Sequence, residues 1–214
     1  MFVADWMTRE VVTVGPDESI AHAMHLMRER GIKHLPVLKD GRLVGVISDR
    51  DIKAFMPSKA TTLDVYEINY LLAKETVKDA MGRQLVTTTP DAPVEGAALV
   101  MLEGDIGCLP VVEGGKLVGI ISDRDIFRAL VDITGARHPG HRIFVTVADR
   151  PGSIREVADR VRNHGFSLLG ILSSYENVPK GSRRVVIRTG VAGDFEALRA
   201  DLQAAYPGVD IRKG

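Results

Sequence analysis

The chain has 214 residues, of which 45% are hydrophobic and 26% charged, with 28 Lys and Arg balanced by 28 Asp and Glu. This fits a globular protein of one to three domains, excludes an extended disordered chain, and leaves no basic surplus that would favour nucleic acid or a membrane as partner. Cys108, the single cysteine, excludes an internal disulfide; with no signal-like start and no apolar run approaching about 18 residues, the expectation is a cytoplasmic protein, neither exported nor membrane-inserted.

In chain order, Asp17 or Ser19 can cap a helix whose apolar positions Ile20, Ala23, Met24 and Met27 share one face, with Gly31 to end it. Two apolar runs follow, Leu35-Pro36-Val37-Leu38 and Leu43-Val44-Gly45-Val46-Ile47, separated by a Gly-bearing turn, and they read as a hairpin. Asp49 then stands where a further helix begins. All of this recurs at a constant shift of 74: Val3–Ile52 aligns with Val77–Ile126 without a gap, 25 of the 50 positions are identical, and Ser48–Ile52 is repeated intact as Ser122–Ile126. Each unit therefore reads as strand, helix, strand, strand, helix.

Between the copies, Leu63 to Leu72 is too apolar for a free linker and is expected to pack as a helix. Gly135 to Gly140 marks a second boundary. Beyond it come a strand at Ile143–Val147, a helix opened by Pro151 with apolar positions Ile154, Val157, Ala158 and Val161 and ended by Gly165, strands at Phe166–Ser173 and Arg183–Thr189, a helix marked by Phe195, Leu198 and Leu202, and a last strand at Gly208–Ile211. The order β-α-β-β-α-β is the split, ferredoxin-like arrangement. The expected domains are 1–56 and 77–135 for the two units, 57–76 for a helical connector, 136–140 for a linker, and 141–214 for the last domain.

The repeated Gly-x-x-Ser-x-x-Asp (Gly45, Ser48, Asp51; Gly119, Ser122, Asp125) passes from strand to helix, where free N–H groups and the helix dipole suit a phosphate. Ser48 and Ser122 add hydroxyl donors and Arg50 and Arg124 positive charge, while Asp51 and Asp125 offer acceptor oxygens for a ribose diol. The competing reading is helix capping alone; a Ser-to-Asp spacing longer than a cap requires argues for a ligand. His22 with His25, and His138 with His141, lack a third ligand, so no metal site is expected, nor is any catalytic residue or required cofactor.

The units Val3–Phe55 and Val77–Ala129 resemble a pair of CBS domains at Met7/Met81, Pro16-Asp17/Pro90-Asp91, Leu35-Pro36-Val37/Leu109-Pro110-Val111 and the Ser-x-Arg-Asp-Ile positions. The resemblance implies a pseudo-twofold α+β module with two clefts for AMP, ADP or ATP, with S-adenosylmethionine or NAD as lesser alternatives. It places phosphate and ribose on Ser48 and Asp51, or Ser122 and Asp125. Adenine would lie against Val12, Thr13, Ile32, Lys33, His34, Leu35 and Pro36, or Val86, Thr87, Ile106, Gly107, Cys108, Leu109 and Pro110. Lys33 against Gly107 and His34 against Cys108 distinguish the clefts. The stretch His141–Ile211 resembles an ACT domain, with Asp149-Arg150-Pro151-Gly152-Ser153-Ile154 as its first loop. That likeness implies amino-acid sensing at Asp149, Pro151, Gly152, Ser153 and Ile154, or dimerisation. Together the resemblances describe a non-enzymatic regulator, a homodimer acting on an unidentified protein; the alternative is a structural dimerisation or docking module with relic clefts.

Overall fold

The structure is a computed structural model that describes residues 1–56, 72–82 and 84–213. It divides into two compact units, Met1–Phe127 and Arg128–Gly214. Apart from Leu72, which is buried in the first unit, the expected connector helix over Leu63–Leu72 lies outside the described residues.

The first unit contains α1 (Val3–Trp6), α2 (Ile20–Arg30), β1 (His34–Lys39), β2 (Arg42–Ser48), α3 (Asp49–Phe55), α4 (Val77–Ala80), α5 (Val94–Gly104), β3 (Cys108–Glu113) and β4 (Lys116–Ser122), and enters α6 (Asp123–Ile133). Ser19 caps α2, accepting from the His22 N–H at 3.1 Å, and Gly31 ends it in the left-handed region at φ 63°. Its counterpart α5 ends on Asp105 in the same conformation. Both hairpins turn on two residues of positive φ, Asp40-Gly41 and Gly114-Gly115, which match the twist of the flanking strands. Both carry a bulge, at Val37/Leu38 and Val111/Val112.

The strand expected to open each unit shrinks to a single bridge, Val14 to Val37 and Thr88 to Val111. Val14 donates to the Pro36 carbonyl and accepts from Leu38, but Pro16 two residues on has no N–H with which to extend the ladder. Pro36 is tolerated inside β1 because its own carbonyl faces Val14, so its missing donor would have faced that short segment and not β2.

The two hydrophobic cores do not follow the sequence repeat. Val77 of α4 is enclosed with Val14, Ile20, Ala23, Leu35, Val37 and Ile47 of the first copy. Val3 and Met7 are enclosed with Ala97, Met101, Leu109, Val111 and Ile121 of the second. The opening helix of each copy thus completes the other's core. Backbone pairing fixes the exchange: Thr8 and Ile120 exchange N–H···O bonds at 2.9 and 3.0 Å, and Gly82 donates to Val46 at 3.0 Å. Glycine makes the approach close. A Cβ on Gly119 would stand 2.6 Å from Met7 Sδ, and one on Gly45 2.8 Å from Met81 Sδ. Each apolar side chain so buried stabilises by roughly 1.5–3 kcal/mol.

The second unit has β5 (His141–Ala148), α7 (Ser153–Asn163), β6 (Leu168–Ser174), β7 (Ser182–Thr189), α8 (Phe195–Ala205) and β8 (Asp210–Lys213). They form an antiparallel sheet of order β6-β7-β5-β8, the split β-α-β topology. Alternate residues Ile143, Val145, Val147, Val185 and Ile187 pack with Val157 and Val161 of α7 and Leu198 and Leu202 of α8. The first helix begins at Ser153, later than the expected start at Pro151. Pro151 lies in the preceding turn, because Gly152, in the left-handed region at φ 86°, takes the N-cap. Gly165 closes α7 as expected, donating to the Arg162 carbonyl at φ 82°.

Candidate functional site

Two equivalent corners stand where β2 enters α3 and where β4 enters α6. At the first, Ser48 is the N-cap and Asp51 the third helical residue. The Ser48 N–H and hydroxyl both donate to Asp51 Oδ2, at 2.7 and 2.6 Å, and the Asp51 N–H donates to Ser48 Oγ at 3.2 Å. At the second, Ser122 donates to Asp125 Oδ2 from N–H and hydroxyl at 3.0 and 2.7 Å. The first is the reciprocal capping box, so the Ser-to-Asp spacing is the spacing of a cap, and the sequence argument that it exceeds one fails. Nor do the corners present rows of free N–H groups. Asp49 donates to the Lys33 carbonyl at 2.9 Å, Asp123 to Gly107 at 3.0 Å, and Arg124 to Asp123 Oδ1 at 2.6 Å. What the box does achieve is to orient Asp51: Oδ2 is held by Ser48, while Oδ1 has no partner among the described residues.

The hairpins bring two of the other expected residues to these corners. His34 pairs in register with Ser48, and Cys108 with Ser122. Val12, Thr13 and Ile32 are half-buried on the first side, and Val86 and Ile106 on the second, while Thr87 is exposed. Pro36 and Pro110 are buried. Leu35 and Leu109 are fully enclosed in the two cores, so their side chains pack and only their backbone could meet a ligand. Arg50 and Arg124 are exposed. Arg50 lies 3.9 Å from Asp105 of the other copy, a residue that sequence reasoning passed over because its counterpart is Gly31.

The two differences between the clefts belong to one contact. A Cβ on Gly107 would stand 2.8 Å from His34 Nε2, so the glycine in the second copy makes room for the imidazole of the first. Burial holds the His34 pKa below the usual imidazole value, opposed by the charges of Asp123, Asp49 and Asp51. Burial, then Asp123 and Asp51, pushes the Cys108 thiol up to about 12. Each cleft residue therefore feels an aspartate from the other copy. A protonated thiol and a neutral imidazole at pH 7 make a poor nucleophile and a poor cation; the arrangement suits binding.

In the second unit, Asp149 pairs with Arg183 at 3.2 Å and Arg150 with Glu156 at 2.8 Å. Pro151 and Gly152 are exposed, Ile154 packs against the core, and Ser153 is buried with its hydroxyl unpartnered. His22 and His25 turn to Glu18 and Glu29, and His141 packs against Phe166 and Phe195. Among the described residues no cluster of three or more His, Cys, Asp or Glu could hold a metal, and no helix is long and apolar enough to cross a membrane.

Paired hairpins with exchanged opening helices and two Ser–Asp corners define a tandem module of two pseudo-equivalent copies. The CBS domain family model matches residues 3–58 and 77–132, more than half of the chain, and the chain belongs to that family. Among solved structures it is similar to CBSX2 in complex with AMP, at 33% identity over 62% of this chain and 97% of that one, TM-score 0.50. It is also similar to the CBS pair of MJ0100 in complex with 5′-methylthioadenosine and S-adenosyl-L-methionine, at 27% identity over 64% and 98%, TM-score 0.51. A third likeness is to a candidate acetoin utilization protein, AcuB, of Vibrio cholerae, at 29% identity over 64% and 95%, TM-score 0.52. An inosine-5′-monophosphate dehydrogenase of Korarchaeum cryptofilum is 29% identical over 93% of this chain but only 40% of its own length. The chain spans less than half the length of such curated relatives.

Proposed function

We propose that the chain is a non-enzymatic regulator whose CBS pair senses an adenine nucleotide, AMP or ATP foremost, and passes the bound state to a partner protein. The observation that carries this reading is Asp51, held by Ser48 through Oδ2 with Oδ1 left to accept from a ribose diol. Arg50 and Arg124 would neutralise phosphate, and the similarity to AMP- and S-adenosylmethionine-bound relatives supports the ligand class. Because each cleft feels charge from both copies, a ligand can change their mutual geometry by its differential contacts. The likeness to the Vibrio cholerae protein supports a setting in acetoin or acetyl metabolism.

For the second unit the reading is an ACT domain that binds an amino acid or forms a homodimer. An amino-acid carboxylate would meet the first turn of α7, where the buried Ser153 hydroxyl lacks a partner, and the ammonium would compete with Arg183 for Asp149. Exposed Leu169 and Ile171 on the edge strand β6 support dimerisation.

The test is calorimetric and thermal-shift titration with AMP, ADP, ATP, S-adenosylmethionine and NAD of wild type, Asp51→Asn and Asp125→Asn. At 100 times its dissociation constant a ligand specific to the folded state adds about 2.7 kcal/mol of stability. The expected result is loss of that response in the variant whose cleft is occupied. Silence of the folded wild type towards all five refutes the sensor and favours the second reading, for which the capping boxes speak: corners retained for folding, in a scaffold with relic clefts.

A further inference from the structure

The sheet of the second unit has one face under α7 and α8. Its other face carries Arg142 and Phe144 of β5, Val186 and Arg188 of β7, and Gly170 and Leu172 of β6. The end of α6 lies over it with Leu130, Val131 and Thr134, bounding a half-open cavity of about 320 Å³. Two glycines seat this cover. A Cβ on Gly170 would stand 3.3 Å from the Ile133 carbonyl, and one on Gly135, itself at φ 61°, 3.2 Å from Arg188 Cδ.

The cavity is apolar except at one end, where Arg142 and Arg188 stand opposite each other in register on neighbouring strands. Like charges so placed oppose folding, and among the described residues no carboxylate lines the cavity to offset them. Arg212, the next in register, is neutralised by Asp210 at 2.6 Å. Arg188 is only 5% exposed; it donates from Nη2 to the His138 carbonyl, and its Nε has no partner. A buried cation with an unused donor is costly unless something anionic completes it.

We infer that this cavity binds a small organic monocarboxylate with a short branched or aromatic tail, the carboxylate bridging Arg142 and Arg188 and the tail lying among Phe144, Leu172, Val186 and Leu130. A guanidinium presents a planar fork that fits a carboxylate. The volume is at the small end of ligand cavities. A free α-amino acid fits worse, because its ammonium would enter a site holding two cations and no anion. The site is therefore separate from the loop at Asp149–Ile154 and from the nucleotide clefts.

The experiment titrates the full chain with 4-methylpentanoate, leucine, isoamylamine and inorganic phosphate, reading heat and the ¹⁵N–¹H signal of Arg188 Nε. We expect 4-methylpentanoate to bind and shift that signal, leucine to bind about tenfold or more weakly, and the amine not at all. Arg142→Gln should weaken 4-methylpentanoate about tenfold, and Leu172→Trp, which fills the cavity while keeping both arginines, should abolish it. The proposal is overturned if folded wild type shows neither heat nor shift with 4-methylpentanoate, if leucine or phosphate binds as well, or if both variants bind like wild type.

Discussion

The exchange of opening helices can be measured as a coupling energy between Met7 and Gly119, residues of different copies. Met7 is 8% exposed, so Met7→Ala should cost about 2–5 kcal/mol for lost burial and the cavity left behind. Gly119 has no left-handed requirement, yet a Cβ there would meet Met7 Sδ at 2.6 Å and Cγ at 3.1 Å, so Gly119→Ala should cost about 1–3 kcal/mol by overpacking. In the double variant the new methyl loses its clash with Met7 and keeps its 3.2 Å contact with the Thr8 carbonyl, so the increment for Gly119→Ala should fall well below its single-variant value, a coupling outside ordinary additivity. Trp6, the single tryptophan, packs on the same core and reports its urea unfolding by fluorescence without interference from the second unit. Gly119→Ala with Met81→Ala should be additive, since Met81 lies against Gly45. Coupling of Met7 to Gly45 in place of Gly119 would refute the exchange.

Two further predictions concern His34 and Cys108. Raising Cys108 from 9.0 to about 12 lowers its thiolate fraction about thousandfold at pH 8; greater nucleophilicity recovers part of this, leaving reaction with an aromatic disulfide roughly thirty- to sixty-fold slower than in urea-unfolded protein. Equal rates in the two states would contradict the burial. His34 is held neutral by burial, so its folded pKa lies below the unfolded value of about 6.5; its contribution to stability is complete above that pH and is lost as pH falls below it towards the folded value. Urea midpoints from pH 7.5 to 5.5 should therefore decline more steeply for wild type than for His34→Gln, and parallel curves would count against it.

Much of the architecture was legible because duplication shows each element twice. The hairpins, the α2 cap at Ser19 and the alternation of β5 and β7 all follow from local chemistry acting over a few residues. The exchange was not legible, since a constant shift of 74 gives the same apolar pattern whichever copy supplies the opening helix. The corners are legible, but their spacing misleads: Ser48-x-x-Asp51 is the spacing of a cap, and only the geometry separates the occupied Oδ2 from Oδ1. The family resemblance puts Leu35 and Leu109 at the clefts, yet in a strand neighbours face opposite ways, and these two face the cores. The arginine cavity escaped notice because Arg142 and Arg188 meet only through strand register across 45 intervening positions.

The contact between His34 and Gly107 has a consequence for how the two copies came to share a chain. One copy alone would have an opening helix without a groove and a groove without a helix, so two separate molecules would have to complete each other. In such a symmetric pair every contact between two positions is made twice with the same two residues, and His34 would face a second Lys33 where it now finds Gly107. Joining the copies makes the association intramolecular and lets each side of the pseudo-twofold carry its own residue. Lys33-His34 in one copy facing Gly107-Cys108 in the other is an arrangement open to a fused pair and closed to identical halves.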